Sequence, residues 1–140
     1  PEMLIGLKPN LVISSPAANG ATTTPELVMG IIEYLQDKGF KNLVILEGSW
    51  VGDSTARAFQ VCGYVDISRR YGVPLIDLQK DASVPVQIDG FQLRICQKAL
   101  EVDYLINLPV LKAHCQTLYT CALKNLKAAF PTAKSAGSTP

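Results

Sequence analysis

Short apolar runs alternate with amphipathic stretches along the first half of the chain. Met3–Leu7 is a run of the kind that makes a buried strand, and Lys8-Pro9-Asn10 closes it. Residues 11–23 are small and polar, with Pro16, Asn19 and Gly20, and read as a long loop. Thr24 then caps a helix, with Pro25 at its first position and Glu26 at the positive end of the dipole. Leu27, Val28, Ile31, Ile32 and Leu35 form one stripe along this helix, and Gly39 ends it. Asn42–Leu46 is apolar on both faces, as a strand covered by helices is, and Glu47-Gly48-Ser49 terminates it. Asp53 or Ser54 can cap a helix that runs to about Cys62. A short helix follows near Asp66–Tyr71, then a strand at Val73–Leu78.

The second half changes rhythm. Val84, Val86 and Ile88 alternate with polar or proline positions, Asp89-Gly90 intervenes, and Phe91, Leu93 and Ile95 alternate again, which predicts a two-residue hairpin. Gln97–Val102 reads as a brief helix and Tyr104–Leu108 as a last buried strand. Leu118, Cys121, Ala122, Leu126 and Ala129 share one side of a helix predicted from Thr117 to about Phe130. Strand, helix, strand, helix, strand is the signature of a mainly parallel sheet. The expected fold is therefore α/β, a mainly parallel sheet with flanking helices in Rossmann-like layering, plus one β-hairpin. One domain is expected over residues 1–130, with a flexible tail or linker over 131–140. Both ends read as cut, so a piece of a longer chain is expected.

Composition narrows the function classes. Apolar residues make up 48% and charged residues 18% of the 140, a globular balance. A net charge of +1 lacks the basic excess that phosphate-backbone binding needs, so no nucleic-acid partner is expected. No stretch approaches the roughly 20 apolar residues of a membrane span, and no secretion signal is visible. Four cysteines without a CxxC pair read as reduced thiols, and a cytoplasmic location is expected.

In an open parallel sheet, the loops leaving the carboxyl ends of the strands form the ligand crevice. Four groups fall there: Lys8 with Asn10, Glu47 with Ser49, Asp77, and Lys112 with His114. Lys124 and Asn125 follow on the last predicted helix. Lys112-Ala113-His114 precedes that helix, and Thr117, Thr120 and Lys124 fall on one of its faces; two lysines, an imidazole and hydroxyls around a helix start suit a phosphate or carboxylate ligand by charge and donor count. The competing reading makes Lys112 and Lys124 solvated surface charges and lets His114 satisfy a backbone carbonyl. Glu47 at a strand end suits a base or a metal ligand, and equally a solvated turn. His114, Cys115 and Cys121 lack the paired spacing of a zinc site, so no metal is assigned, although His114, Glu47 and Asp77 form a weaker third possibility. The dinucleotide, P-loop and nucleophile-elbow motifs are absent from the sequence.

The chain resembles the prokaryotic family of domain of unknown function 362. The resemblance rests on Lys8-Pro9-Asn10-Leu11-Val12, Thr22-Thr23-Thr24-Pro25-Glu26-Leu27, Glu47-Gly48-Ser49, Asp103 through Pro109, Leu111-Lys112-Ala113-His114 and Ala122-Leu123-Lys124-Asn125-Leu126. These segments lie in order and span nearly the whole chain. Many members of that family resemble iron–sulfur proteins, with ferredoxin-type cysteine clusters elsewhere in their chains. Cys62, Cys96, Cys115 and Cys121 do not form such a cluster, so a 4Fe–4S group would belong only to a segment outside these residues, and the cofactor is left unassigned. The matching residues are Lys8, Asn10, Glu47, Ser49, Lys112, His114, Lys124 and Asn125. The resulting expectation is an α/β domain that binds a small anionic ligand, with Lys8, Asn10, Ser49, Lys112, Lys124 and Asn125 holding it and His114 and Glu47 as acid–base groups. In longer relatives the chemistry would be redox, coupled to an iron–sulfur module. The alternative is a non-catalytic scaffold that docks a ferredoxin-like electron-transfer partner.

Overall fold

The computed structural model describes residues 2–114 and 117–131. The elements run in the order β1 (Ile5–Pro9), α1 (Pro25–Asp37), β2 (Leu43–Glu47), α2 (Thr55–Val61), α3 (Tyr64–Tyr71), β3 (Leu75–Asp77), β4 (Ser83–Ile88) and β5 (Phe91–Cys96). They continue with α4 (Gln97–Glu101), β6 (Tyr104–Leu108), β7 (Lys112–His114), β8 (Leu118–Thr120) and α5 (Ala122–Asn125), and a 3-10 turn covers Leu126–Ala129. The expected tail beyond Pro131 lies outside the described residues, as does Cys115.

Four strands form a parallel sheet in the order β3-β2-β1-β6, while β4-β5 and β7-β8 are separate antiparallel pairs. This is the α/β layering expected from the sequence. Leu7 pairs with Ile45 on one side and with Ile106 on the other, which makes β1 a central strand. Alternation along the strands separates two cores. Ile5, Leu7, Leu43 and Ile45 pack with Val28 and Ile32 of α1, with Ala58 and Phe59 of α2, and with Tyr64 and Ile67 of α3. On the opposite face, Leu46 packs with Leu78 and Cys96, joined by Val44, Ile76, Ala99, Val102 and Leu105. Gly6 lies under this second layer, where a Cβ would come within 2.6 Å of the Leu46 side chain and 2.9 Å of Val102. The absence of a side chain there lets the α4 region close onto the sheet.

Local signals hold in several places. Pro25 opens α1, but the Thr24 hydroxyl bonds the Glu26 carboxylate instead of a helix N–H. Ser54 caps α2 by accepting the Arg57 N–H. Asp89 and Gly90 take φ values of 46° and 83°, the doubly left-handed pair that a two-residue hairpin turn needs.

Two expectations are corrected. The helix predicted over 117–130 is instead strand β8, the short helix α5 and a 3-10 turn. Leu118 takes φ 64°, which no helix residue does, and β8 pairs with β7. The first strand is also shifted toward the carboxyl end, so that Lys8 lies inside β1. A lysine just past a strand would point to solvent or to a ligand, but Lys8 is only 2% exposed.

Candidate functional site at the carboxyl rim of the sheet

From β1 the chain moves outward through β2 to β3, then returns to place β6 on the other side of β1. The order therefore reverses between β1 and β6, and a crevice opens outside the carboxyl ends of strands at such a switch point. Asn10-Leu11 and Pro109-Val110 are the segments that leave these two strands.

The floor of this rim is a buried ion pair. Lys8 Nζ donates to Glu47 Oε1 at 2.7 Å, to the Pro9 carbonyl at 2.7 Å and to Asn125 Oδ1 at 3.2 Å, so all three of its donors are used. Glu47 accepts the Leu11 N–H on Oε2 at 2.6 Å and the Gly48 N–H on Oε1 at 2.7 Å. Burial pulls the Lys8 pKa down, and the Glu47 carboxylate works against that shift. Asn125 fastens α5 to the rim by donating to the Lys8 carbonyl at 3.2 Å and to Asn107 Oδ1 at 2.8 Å. Asn107 stands beside Lys8 in the parallel register.

Over the floor lies the β7-β8 ribbon. Lys112 pairs with Thr120 and His114 with Leu118, so the side chains of Lys112, His114 and Thr120 share one face, and Ala113 and Tyr119 share the other. Lys112 Nζ reaches back across the crevice to Asn10 Oδ1 at 3.2 Å and to the Ala21 carbonyl. Asn10 is fixed in turn: its N–H donates to the Thr23 hydroxyl at 2.8 Å, which donates to the Leu108 carbonyl at 2.7 Å. Lys124 Nζ lies 2.7 Å from His114 Nε2, a contact that requires a lone pair on one of the two nitrogens. A neutral imidazole with its proton on Nδ1 provides it to a lysine ammonium. The Thr117 N–H approaches Nδ1 at 3.3 Å and favours the other tautomer, so the two contacts compete.

The charge at the rim does not balance. Lys8, Lys112 and Lys124 face one carboxylate, Glu47, which leaves two positive charges unmatched among the described residues. Lys112 registers this surplus: partial burial lowers its pKa most, the like charge of Lys124 lowers it further, and Glu47 raises it.

The chain matches the family described as domain of unknown function (DUF362) over residues 5–138. It belongs to the DUF362 family. It is also similar to the thylakoid-associated protein sll1697 of Synechocystis, with 29% identity over 131 residues that cover 89% of this chain and 38% of that protein. The chain thus spans well under half the length of this curated relative. No solved structure matches it.

Within this DUF362 domain, hydrogen bonds or direct contacts join Lys8, Glu47 and Asn125, then Asn10 with Lys112, then His114 with Lys124. Ser49 sits behind them, buried, donating to the Leu11 carbonyl at 2.8 Å and accepting nothing from the lysines. Asp77 ends β3 beside Glu47 in register, and its carboxylate accepts the Gln79 N–H at 3.0 Å and meets Lys80 at 3.9 Å. Among the described residues no three His, Cys, Asp or Glu side chains gather around a point that could hold a metal ion. Thr23 and Asn107 were not singled out as site residues by sequence reasoning; Thr120, grouped there with Thr117 and Lys124 by helical spacing, stands instead on strand β8. The alternation through Lys112-Ala113-His114 and the β-forming Leu118-Tyr119-Thr120 was the available signal for Thr120.

An apolar groove of about 420 Å³ lies elsewhere, lined by Leu27, Gly30, Ile31, Tyr34, Leu35 and Ile106 with Glu26 at its border. Its walls are nearly all hydrocarbon, without convergent polar groups to orient a ligand. No described helix is long and apolar enough to cross a membrane.

Proposed function

We propose that the carboxyl rim of the DUF362 domain binds a small anionic ligand bearing phosphate or carboxylate. The observation that carries this reading is the pair of lysine charges, Lys112 and Lys124, without a counter-charge among the described residues and held over the switch point of the sheet. Like charges brought together and partly desolvated are costly, and an arriving anion repays that cost. Asn10 and Asn125 orient the lysines, and Lys8 with Glu47 forms the rigid floor. Glu47 is 1% exposed and fully engaged by three donors, so it acts as a positioning group. His114, bridged to Lys124, is the group suited to exchange a proton with a ligand. A thermal-shift screen of anions and nucleotides tests this. Stabilisation by one class, lost in Lys112→Ala, supports it, and no stabilisation by any removes it.

A second reading, a scaffold that docks an electron-transfer module, draws on a different feature. Leu111, Leu118, Tyr119 and Leu123 are 74%, 84%, 65% and 88% exposed around the same ribbon. Apolar surface of this kind suits a protein partner. In longer relatives that partner would be an iron–sulfur module on the same polypeptide, with the anion site serving redox chemistry. Scattered lysines would have favoured this scaffold alone, and here they converge.

A further inference from the structure

We infer that the anion is a phosphate monoester or inorganic phosphate, a tetrahedral dianion held by Lys112, Lys124 and the hydroxyl of Thr120. This rests on the anion-binding reading above and names its ligand. Among the described residues, Thr120 Oγ1 is the buried side-chain polar atom left without a hydrogen-bond partner, and the residue is 4% exposed. A buried hydroxyl is costly to leave unpaired, and such atoms mark places where something is missing. Its position says where. Thr120 is the cross-strand partner of Lys112, on the ribbon face that also carries His114.

Charge and shape select the ligand. Two unmatched lysine charges are neutralised by a dianion, whereas one carboxylate or a phosphodiester leaves one of them standing. Asn10 and the Ala21 carbonyl take two of the Lys112 donors, which leaves a third for the ligand among the described residues. Lys124 stands on α5 and Thr120 on β8. Donors carried on three separate elements suit the oxygens of a tetrahedron better than the two coplanar oxygens of a carboxylate.

Titration calorimetry on the full-length protein at about pH 8, above the second phosphate ionisation near about 6, decides the matter. Methyl phosphate, dimethyl phosphate and malonate are compared on the wild type, Thr120→Val and Thr120→Ser. Methyl phosphate is expected to bind at least about tenfold more tightly than either competitor, the equivalent of one charged hydrogen bond. Thr120→Val should lose about tenfold in methyl phosphate affinity with no drop in the melting temperature of the ligand-free protein, and Thr120→Ser should keep the affinity. If malonate binds as well as methyl phosphate, or Thr120→Val binds methyl phosphate unchanged, the phosphate assignment falls and the anion reading stands. If none of the three binds, both fall. The wild-type series decides the ligand class even where a variant does not fold.

Discussion

Replacing Glu47 by glutamine keeps the shape of the rim floor and removes its negative charge. The carboxylate receives Leu11 N–H at 2.6 Å on one oxygen, and Gly48 N–H and Lys8 Nζ, both at 2.7 Å, on the other. Whichever way the amide turns, its NH2 meets a donor, so at least one buried N–H is orphaned at about 1–3 kcal/mol. Lys8, with a side chain 3% exposed, also loses its only counter-charge among the described residues. Breaking a buried pair from one side costs about 3–5 kcal/mol in all, a large share of the roughly 5–15 kcal/mol that holds a domain together. Lys8→Met should cost about 3 kcal/mol, because the carboxylate keeps its two backbone donors. The double variant should be no worse than the less stable single, a coupling of at least about 3 kcal/mol. Urea unfolding followed by far-UV circular dichroism gives these values; Trp50 fluorescence does not, because Trp50 is 60% exposed. The sign of the pH dependence adds a check. With its pKa already lowered by burial, Lys8 binds fewer protons folded than unfolded below its ordinary value of 10.5. Stability therefore rises with pH across that window, and the Glu47→Gln deficit should shrink toward about pH 10. A Glu47→Gln cost under about 1 kcal/mol, or single effects that simply add, would refute the reasoning.

Three further outcomes follow from the same geometry. Gly6→Ala should destabilise by about 1–3 kcal/mol in chemical denaturation, because its Cβ must displace Leu46, Val102 and Leu105 in a central strand. Gly90→Ala meets no neighbouring atom but must hold φ 83°, so a loss of about 1 kcal/mol is expected in the same assay. Anion affinity, measured by titration between about pH 7 and pH 11, should begin to fall below 10.5, since Lys112 gives up its proton earlier than a free lysine. Asn125→Ala removes bonds to the Lys8 and Pro9 carbonyls and to Asn107, and should lower both the melting temperature and the anion affinity.

Local pattern carried the sheet and the hairpin because their signals are local. Pro25 and the stripe through Ile32 specify α1, and Asp89-Gly90 specifies the turn, whatever the rest of the chain does. The segment after Lys112 shows the limit. Leu118, Cys121, Ala122, Leu126 and Ala129 satisfy a helical period, yet the first of them is 84% exposed and has a positive φ. Pairing with Lys112–His114 overrode that period, favoured by the strand preference of Leu118-Tyr119-Thr120. The contacts among the expected crevice residues were not legible. Lys8 meets Asn125 across 117 positions and Lys112 meets Asn10 across 102. Such closures depend on the register of the whole sheet, which periodicity does not encode. Lys8 itself was read as facing outward because a displacement of two residues in β1 separates a strand end from a strand interior.

The central claim is that an anion binds at the carboxyl rim between β1 and β6. Titrating inorganic phosphate into isotopically labelled protein and following the amide resonances locates the site directly. The largest shifts are expected at Asn10, at Lys112 to His114, at Thr120 and at Lys124 and Asn125. Shifts confined to the groove between α1 and β6, or spread evenly over the surface lysines, would contradict the account.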